Sequence, residues 1–207
     1  MLAIIQPEFV LCGGDLTHAK ARNDLVSEGQ IVSEWETYLN ITDTRWDKVP
    51  WLDIRGNHDT YGVLSSSSSQ NYFANYSVMG REGHLSSYSK KFLSRRQKFS
   101  VVAIDATVEP GLREPFNWEG QINEERQAVL KDIVADIQED EIGIFLGHYP
   151  TSVIKDSDFI RSLISRGLGM AFTHDIGTEE FTLGMLKLDR GCMIALPYYE
   201  DKVEVKS

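Results

Sequence analysis

The sequence predicts an α/β layer fold, and two patterns predict it. Short apolar runs stopped by glycine alternate with amphipathic stretches of helical period, and strands that alternate with helices pack as layers. The chain has 207 residues, 42% hydrophobic and 25% charged, a balance suited to a single domain (1–207) with one sizeable core. No internal repeat and no linker divides it.

Phe9-Val-Leu-Cys12, closed by Gly13-Gly14, reads as a buried strand ending in a tight turn. Ile31, Trp35 and Leu39 recur at a spacing of four and predict an amphipathic helix over 24–40. Trp51-Leu-Asp-Ile54 is the next strand, ended by Gly56. The serine run Ser65 to Ser69 reads as a solvated loop, and 71–76 as a short helix. Stretches 84–90 and 99–105 pair around the basic turn Ser94-Arg95-Arg96. Asn123 is suited to cap a helix to about Gln138 that sets Val129, Leu130, Ile133, Val134 and Ile137 on one face. Ile142-Gly-Ile-Phe-Leu146 is a strand ended by Gly147-His148, and 156–166 a helix closed by Gly167. From Leu168 onward the chain gives short strand-like runs such as Phe181-Thr-Leu183 and Met193-Ile-Ala-Leu196.

The net charge of -10 argues against a sequence-blind nucleic-acid binder, which needs excess Lys and Arg. An acidic chain still handles phosphate esters when metal cations supply the positive charge. Two cysteines, Cys12 and Cys192, make neither a disulfide framework nor a CxxC knuckle. No apolar stretch reaches the roughly 18 residues of a membrane span. The apolar start lacks a basic flank and is cut off by Gln6-Pro7-Glu8, so it does not read as a signal peptide.

Three apolar runs end alike: in Gly13-Gly14-Asp15, in Gly56-Asn57-His58-Asp59 and in Gly147-His148. Open α/β sheets bind ligands at the carboxyl ends of their strands. The groups gathered there are carboxylate, amide oxygen and imidazole, and nitrogen donors favour Zn, Fe or Mn over Ca. Each motif alone is satisfied by a turn or a cap; three in this order at strand ends are harder to explain so.

These residues resemble signatures of the calcineurin-like metallophosphoesterases, with Gly-Asn-His-Asp the most specific. Gly14-Asp-Leu-Thr-His-Ala-Lys20, Trp51 to Asp59 and Ile104-Asp-Ala-Thr-Val-Glu-Pro-Gly111 are similar to its transmembrane protein 62-like branch, over Pro7 to Gly167. The resemblance implies a layered β-sandwich flanked by helices, and a hydrolase of phosphate esters using two divalent transition metal ions. It implies Asp15 as the bridging metal ligand, with Asn57 and His148 as ligands of the second metal. His58 would act beside the substrate, oriented by Asp59. In that branch the domain precedes a membrane-spanning region, which this chain lacks.

Two departures narrow the implied site. The family's first-strand Asp-x-His has no counterpart before Asp15, so the chain reads as starting after that strand, incomplete at its N-terminus. The final Gly-His-x-His is represented by Thr173-His174-Asp175-Ile176, in which His174 stands as a ligand and Ile176 cannot bind; 168–207 reads as divergent. The second metal keeps Asp15, Asn57, His148 and His174, whereas the first keeps little beyond Asp15, so one metal rather than two is a reading left open. Two functions follow: a metal-dependent phosphoesterase acting on a phosphate-ester substrate, or a catalytically impaired homologue that binds metal, phosphate or a partner. His18 reads as a surface residue of the loop, and His84 as structural or exposed.

Overall fold

The computed structural model describes residues 7–20, 29–45, 49–94, 96–114, 116–155, 157–164, 169–172, 187–188 and 191–192. Strand β1 (Val10–Cys12) lies parallel to β2 (Trp51–Asp53), with Leu11 opposite Leu52. Strands β3 (Tyr88–Ser94) and β4 (Gln97–Ile104) form an antiparallel hairpin. Parallel to β4 runs β6 (Glu141–Gly147), and parallel to β6 runs β8 (Gly169–Phe172), giving a four-stranded sheet in the order β3-β4-β6-β8. Short pairs β5 (Gly120–Gln121) with β7 (Ile154–Lys155), and β9 (Lys187–Leu188) with β10 (Gly191–Cys192), complete the described strands. The helices are α1 (Val32–Arg45), α2 (Phe73–Tyr76), α3 (Val78–Arg81), α4 (Glu124–Ala135) and α5 (Ser157–Ile164).

The period-two pattern of β4 and β6 explains the layering, because alternate side chains leave a sheet on opposite faces. Val102, Ile104 and Phe145 join Leu130 and Val134 of α4 and Ile160 and Leu163 of α5 in one apolar cluster. Phe99, Val101, Ala103, Ile144 and Leu146 join Leu52 and Ile54 of the β2 region in another, with Phe9 and Leu11 packed against it. Helices therefore cover one face of the four-stranded sheet and the β1–β2 pair covers the other. The expected α/β layering is what the chain adopts.

Several element bounds differ from expectation. The first helix runs Val32–Arg45 rather than over 24–40. Gly29 has φ +95, which an α-helix cannot include, and the Thr42 hydroxyl bonds to the carbonyls of Tyr38 and Leu39 at 3.1 Å, beyond the expected end. The stretch after α2 forms one more turn, α3, capped by the Ser77 hydroxyl accepting from Gly80 N. Val129 does not share the buried face of α4; it is 42% exposed. Gly167 and the runs 181–183 and 193–196 lie outside the described residues.

Candidate functional site

The strand ends β1, β2 and β6 meet, and glycine makes the meeting possible. Gly14 has φ +97, and a Cβ there would stand 2.7 Å from Gly56 N. Asp15 follows with φ 52, an uncommon left-handed conformation for a residue with a Cβ. This turn sends the Asp15 carboxylate toward the Asn57-His58 turn, where Oδ1 accepts from the His58 backbone N–H at 3.0 Å.

His148 leaves β6 with a buried ring beneath the same turn. Its Nδ1 lies 2.9 Å from the Gly13 carbonyl oxygen. A carbonyl only accepts, so Nδ1 carries the proton, and in the neutral ring Nε2 offers a lone pair. That Nε2 is 2.8 Å from Asn57 Oδ1 and 3.5 Å from Asp15 Oδ1. An imidazole nitrogen thus lies within 3.5 Å of an amide oxygen and a carboxylate oxygen. Tyr149 packs edge-on against the His148 ring at 5.0 Å, which fixes its plane.

His58 stands at the mouth, its ring between those of His18 (5.6 Å) and Tyr61 (4.6 Å). Its Nδ1 meets the backbone carbonyl of His18, and its Nε2 lies 4.0 Å from Asp15 Oδ2. Burial, and then the Glu114 carboxylate, push the Tyr61 hydroxyl above its ordinary range, so this wall of the mouth stays uncharged.

The Asp59 carboxylate is turned to the two strand-end turns, with no hydrogen bond to the His58 ring among the described residues. Its carboxylate is fully buried and accepts from Gly56 N at 2.8 Å, Leu16 N at 3.2 Å, Thr17 N at 3.1 Å and the Thr17 hydroxyl at 3.2 Å. It holds the two strand-end turns against each other, and the His18 carbonyl takes the His58 ring instead. Burial, followed by the Asp15 carboxylate, pushes the Asp59 carboxyl above the usual range, while its backbone N–H partners pull it down.

Asp15, Asn57, His58, Asp59 and His148 are therefore brought together, whereas His174 lies outside the described residues. The strand before His174 pairs Phe172 with Gly147, so β8 ends level with the start of the His148 turn. Among the described residues no group of three or more His, Cys, Asp and Glu is placed to hold a metal; the convergent set has two such residues and an amide. Nor, among them, is any helix long and apolar enough to cross a membrane.

The motifs gave no sign of a buried pair beneath the site. Arg55 Nε donates to Asp105 Oδ2 at 2.9 Å, its Nη2 also meets Asp105, and Nη2 reaches Glu109 Oε1 at 3.2 Å. Burial works against the Asp105 charge, but Arg55 and then Arg126 hold its carboxyl below the usual range. Arg55 lies in the stretch Trp51 to Asp59 and Asp105 in Ile104 to Gly111, both similar to the family branch, but neither stretch signalled that the two pair across fifty residues.

Residues 1–178 match the family model described as Calcineurin-like phosphoesterase. The chain is 35% identical over 203 residues to Transmembrane protein 62 of Mus musculus, covering 91% of this chain and 30% of that protein. It is 32% identical over 174 residues to a protein of Arabidopsis thaliana provisionally named as a metallophosphoesterase, covering 78% of this chain and 23% of that one. The chain spans less than a third of the length of the curated relatives it matches.

Proposed function

Because the chain belongs to the calcineurin-like phosphoesterase family, we propose that it is a metal-dependent hydrolase of phosphate esters whose divalent cation is held by Asp15, Asn57 and His148. One observation carries this reading. His148 Nε2 lies 2.8 Å from Asn57 Oδ1 and 3.5 Å from Asp15 Oδ1, so one nitrogen and two oxygen donors stand within reach of a common cation. Three acceptors so close repel one another unless a cation or proton lies among them. The mixed nitrogen and oxygen set suits Mn, Fe or Zn. The register of Phe172 opposite Gly147 supports His174 as a further ligand.

When bound, the cation polarises a phosphoryl oxygen and acidifies a water. The protein's own groups do the rest. Asp59 holds the two turns in register, so the donors keep their spacing. His58, with Nδ1–H committed to the His18 carbonyl, has Nε2 as the ring atom left to face the leaving oxygen, and it passes a proton there only as the imidazolium, which carries a hydrogen on both nitrogens. The apolar faces of Tyr61 and Tyr149 exclude water from one side.

A second reading, a metal- or phosphate-binding module with impaired hydrolysis, is favoured by one observation. Among the described residues no group of three or more His, Cys, Asp and Glu is placed to hold a metal. Metal content and hydrolysis of p-nitrophenyl phosphate in Mn decide between the readings. The hydrolase reading expects bound metal and turnover, with Asn57→Ala and His148→Ala lowering Mn affinity by more than the roughly 10–100-fold lost when a residue that only orients a ligand is changed. A metal-loaded chain without turnover supports the second reading. A chain that stays metal-free in millimolar Mn and binds no inorganic phosphate defeats both.

A further inference from the structure

We propose that Glu34 is a positioning residue for His58, setting its imidazole tautomer through the backbone of the 16–19 loop. The two side chains do not touch in this arrangement, and the link is a chain of hydrogen bonds. Glu34 lies in the first turn of α1. Its Oε2 accepts from His18 N at 3.0 Å and from Ala19 N at 2.9 Å. The two preceding amides, Leu16 N and Thr17 N, are taken by Asp59. Four consecutive N–H groups are thus captured by two carboxylates, an anion-binding backbone concavity used here for internal anchorage.

The loop needs that anchorage because its backbone is unfavourable. Both Asp15 (φ 52) and Ala19 (φ 51) sit in the left-handed region, which is unfavourable for a residue with a Cβ and persists only where surroundings enforce it. Holding the N–H groups of His18 and Ala19 turns the peptide so that the His18 carbonyl faces His58 Nδ1. The other side of the contact is fixed from the same helix start: Gln30 Nε2 donates to the His58 carbonyl at 2.9 Å and to the Tyr61 carbonyl at 3.3 Å. Gln30 is held in turn by Trp35 Nε1 at 2.8 Å, and Trp35 is fully buried. The first turn of α1 therefore grips the loop through Glu34, and the segment just before the helix grips the His58 turn through Gln30. A carbonyl at Nδ1 admits only the Nδ1–H form of the neutral ring, which leaves Nε2 directed at the mouth.

The catalytic consequence rests on the phosphoesterase reading; the tautomer does not. Long-range 1H–15N correlation of the imidazoles in the metal-free chain tests it at pH about 8, where an ordinary imidazole is neutral. Loss of signals in His58→Asn assigns the ring. The expected result is an Nδ1–H signature for His58 in the parent chain, kept in Glu34→Gln, whose amide oxygen can accept both N–H groups. In Glu34→Ala it gives way to averaged tautomers. With p-nitrophenyl phosphate as substrate, Glu34→Ala lowers kcat about tenfold, a part of the roughly 10²–10⁴ that a positioned acid or base supplies, at unchanged KM, and Glu34→Gln restores it. Should Glu34→Ala fail to fold, Glu34→Asp, one methylene too short to reach both amides, is read in its place. Parent-like His58 signals in the folded Ala or Asp variant overturn the proposal. A parent chain without turnover, yet with the tautomer shift intact, defeats the phosphoesterase reading and leaves Glu34 as the group that sets the ring.

Discussion

Space limits the turns at Gly14-Asp15 and Gly56-Asn57 more than charge does. A Cβ at Gly56 would stand 2.2 Å from Asp15 Oδ1, 2.4 Å from Asp15 N and 2.9 Å from His148 Cε1. One of those contacts is backbone and another belongs to a buried ring, so neither yields by rotating a flexible side chain. Gly56→Ala is therefore expected to cost about 1–3 kcal/mol or more by overpacking, and to displace Asp15 from the convergent set. Urea denaturation checks the first effect and Mn titration the second; parent values for both would show that the turn can relax. This crowding explains what could be read in the sequence. Gly-Asp and Gly-Asn-His-Asp are local patterns, since the turn and the presented group lie within a few residues of each other. The partners that aim those groups are remote: Asp59 holds Thr17 across 42 positions, and Glu34 holds His18 across 16. Nothing in the spacing of Asp59 distinguishes a carboxylate that steers His58 from one that clamps two turns, and the structure shows the clamp.

Elements were legible where a local signal set them. Asn123 caps α4 as expected, its Oδ1 accepting from Arg126 N at 2.9 Å, with Glu124 and Glu125 in the first turn where the helix dipole favours them. The helix buries Leu130 and Val134 against the sheet face opposite the β1–β2 pair. Asn123→Ala should thus lower stability by about 1 kcal/mol, while Asn123→Ser should lower it little. Mn affinity should be unchanged in both, because the cap lies across the sheet from the β1–β2 turns. Equilibrium unfolding in urea beside Mn titration checks this, and a fall in affinity alone would tie α4 to the site. Bounds were less legible than the elements themselves. Period alone placed Ile31, Trp35 and Leu39 on a helix, but it could not register that Gly29 takes φ +95 or that Thr42 carries the helix onward. Val129 fits the same period as Leu130 and Val134 yet is exposed, since a helix on a sheet buries a stripe narrower than the predicted face.

At the scale of the molecule, the site depends on keeping the β1–β2 pair in register with the four-stranded sheet, and a buried charge pair crosses that boundary. Arg55, just past β2, and Asp105, at the end of β4, are each 1% exposed. Asp105 also receives the Thr107 N–H at 2.9 Å and the Thr107 hydroxyl at 2.6 Å, which fixes the loop leading to Glu109. Breaking a buried pair leaves an uncompensated charge, so Asp105→Asn should cost about 3–5 kcal/mol at pH 7. A double change of Arg55→Met with Asp105→Leu should recover much of that, because apolar groups of similar volume avoid desolvating two charges. The pH dependence has a defined sign. The folded carboxyl titrates below its ordinary value, so its contribution is present above the unfolded pKa of about 3.9 and is lost as pH falls through the lower folded value. The gap in urea midpoint between the parent and Asp105→Asn should be widest near neutrality, should begin to shrink below about pH 4 and should close only below the folded carboxyl's lower value. An equal gap at both pH values would mean that the carboxylate acts through shape and its bonds to Thr107, with its charge on Arg55 contributing nothing. A gap that closes, together with recovery in the apolar double variant, would show that charge pairing holds Arg55, and through it the Asn57-His58 turn, in place.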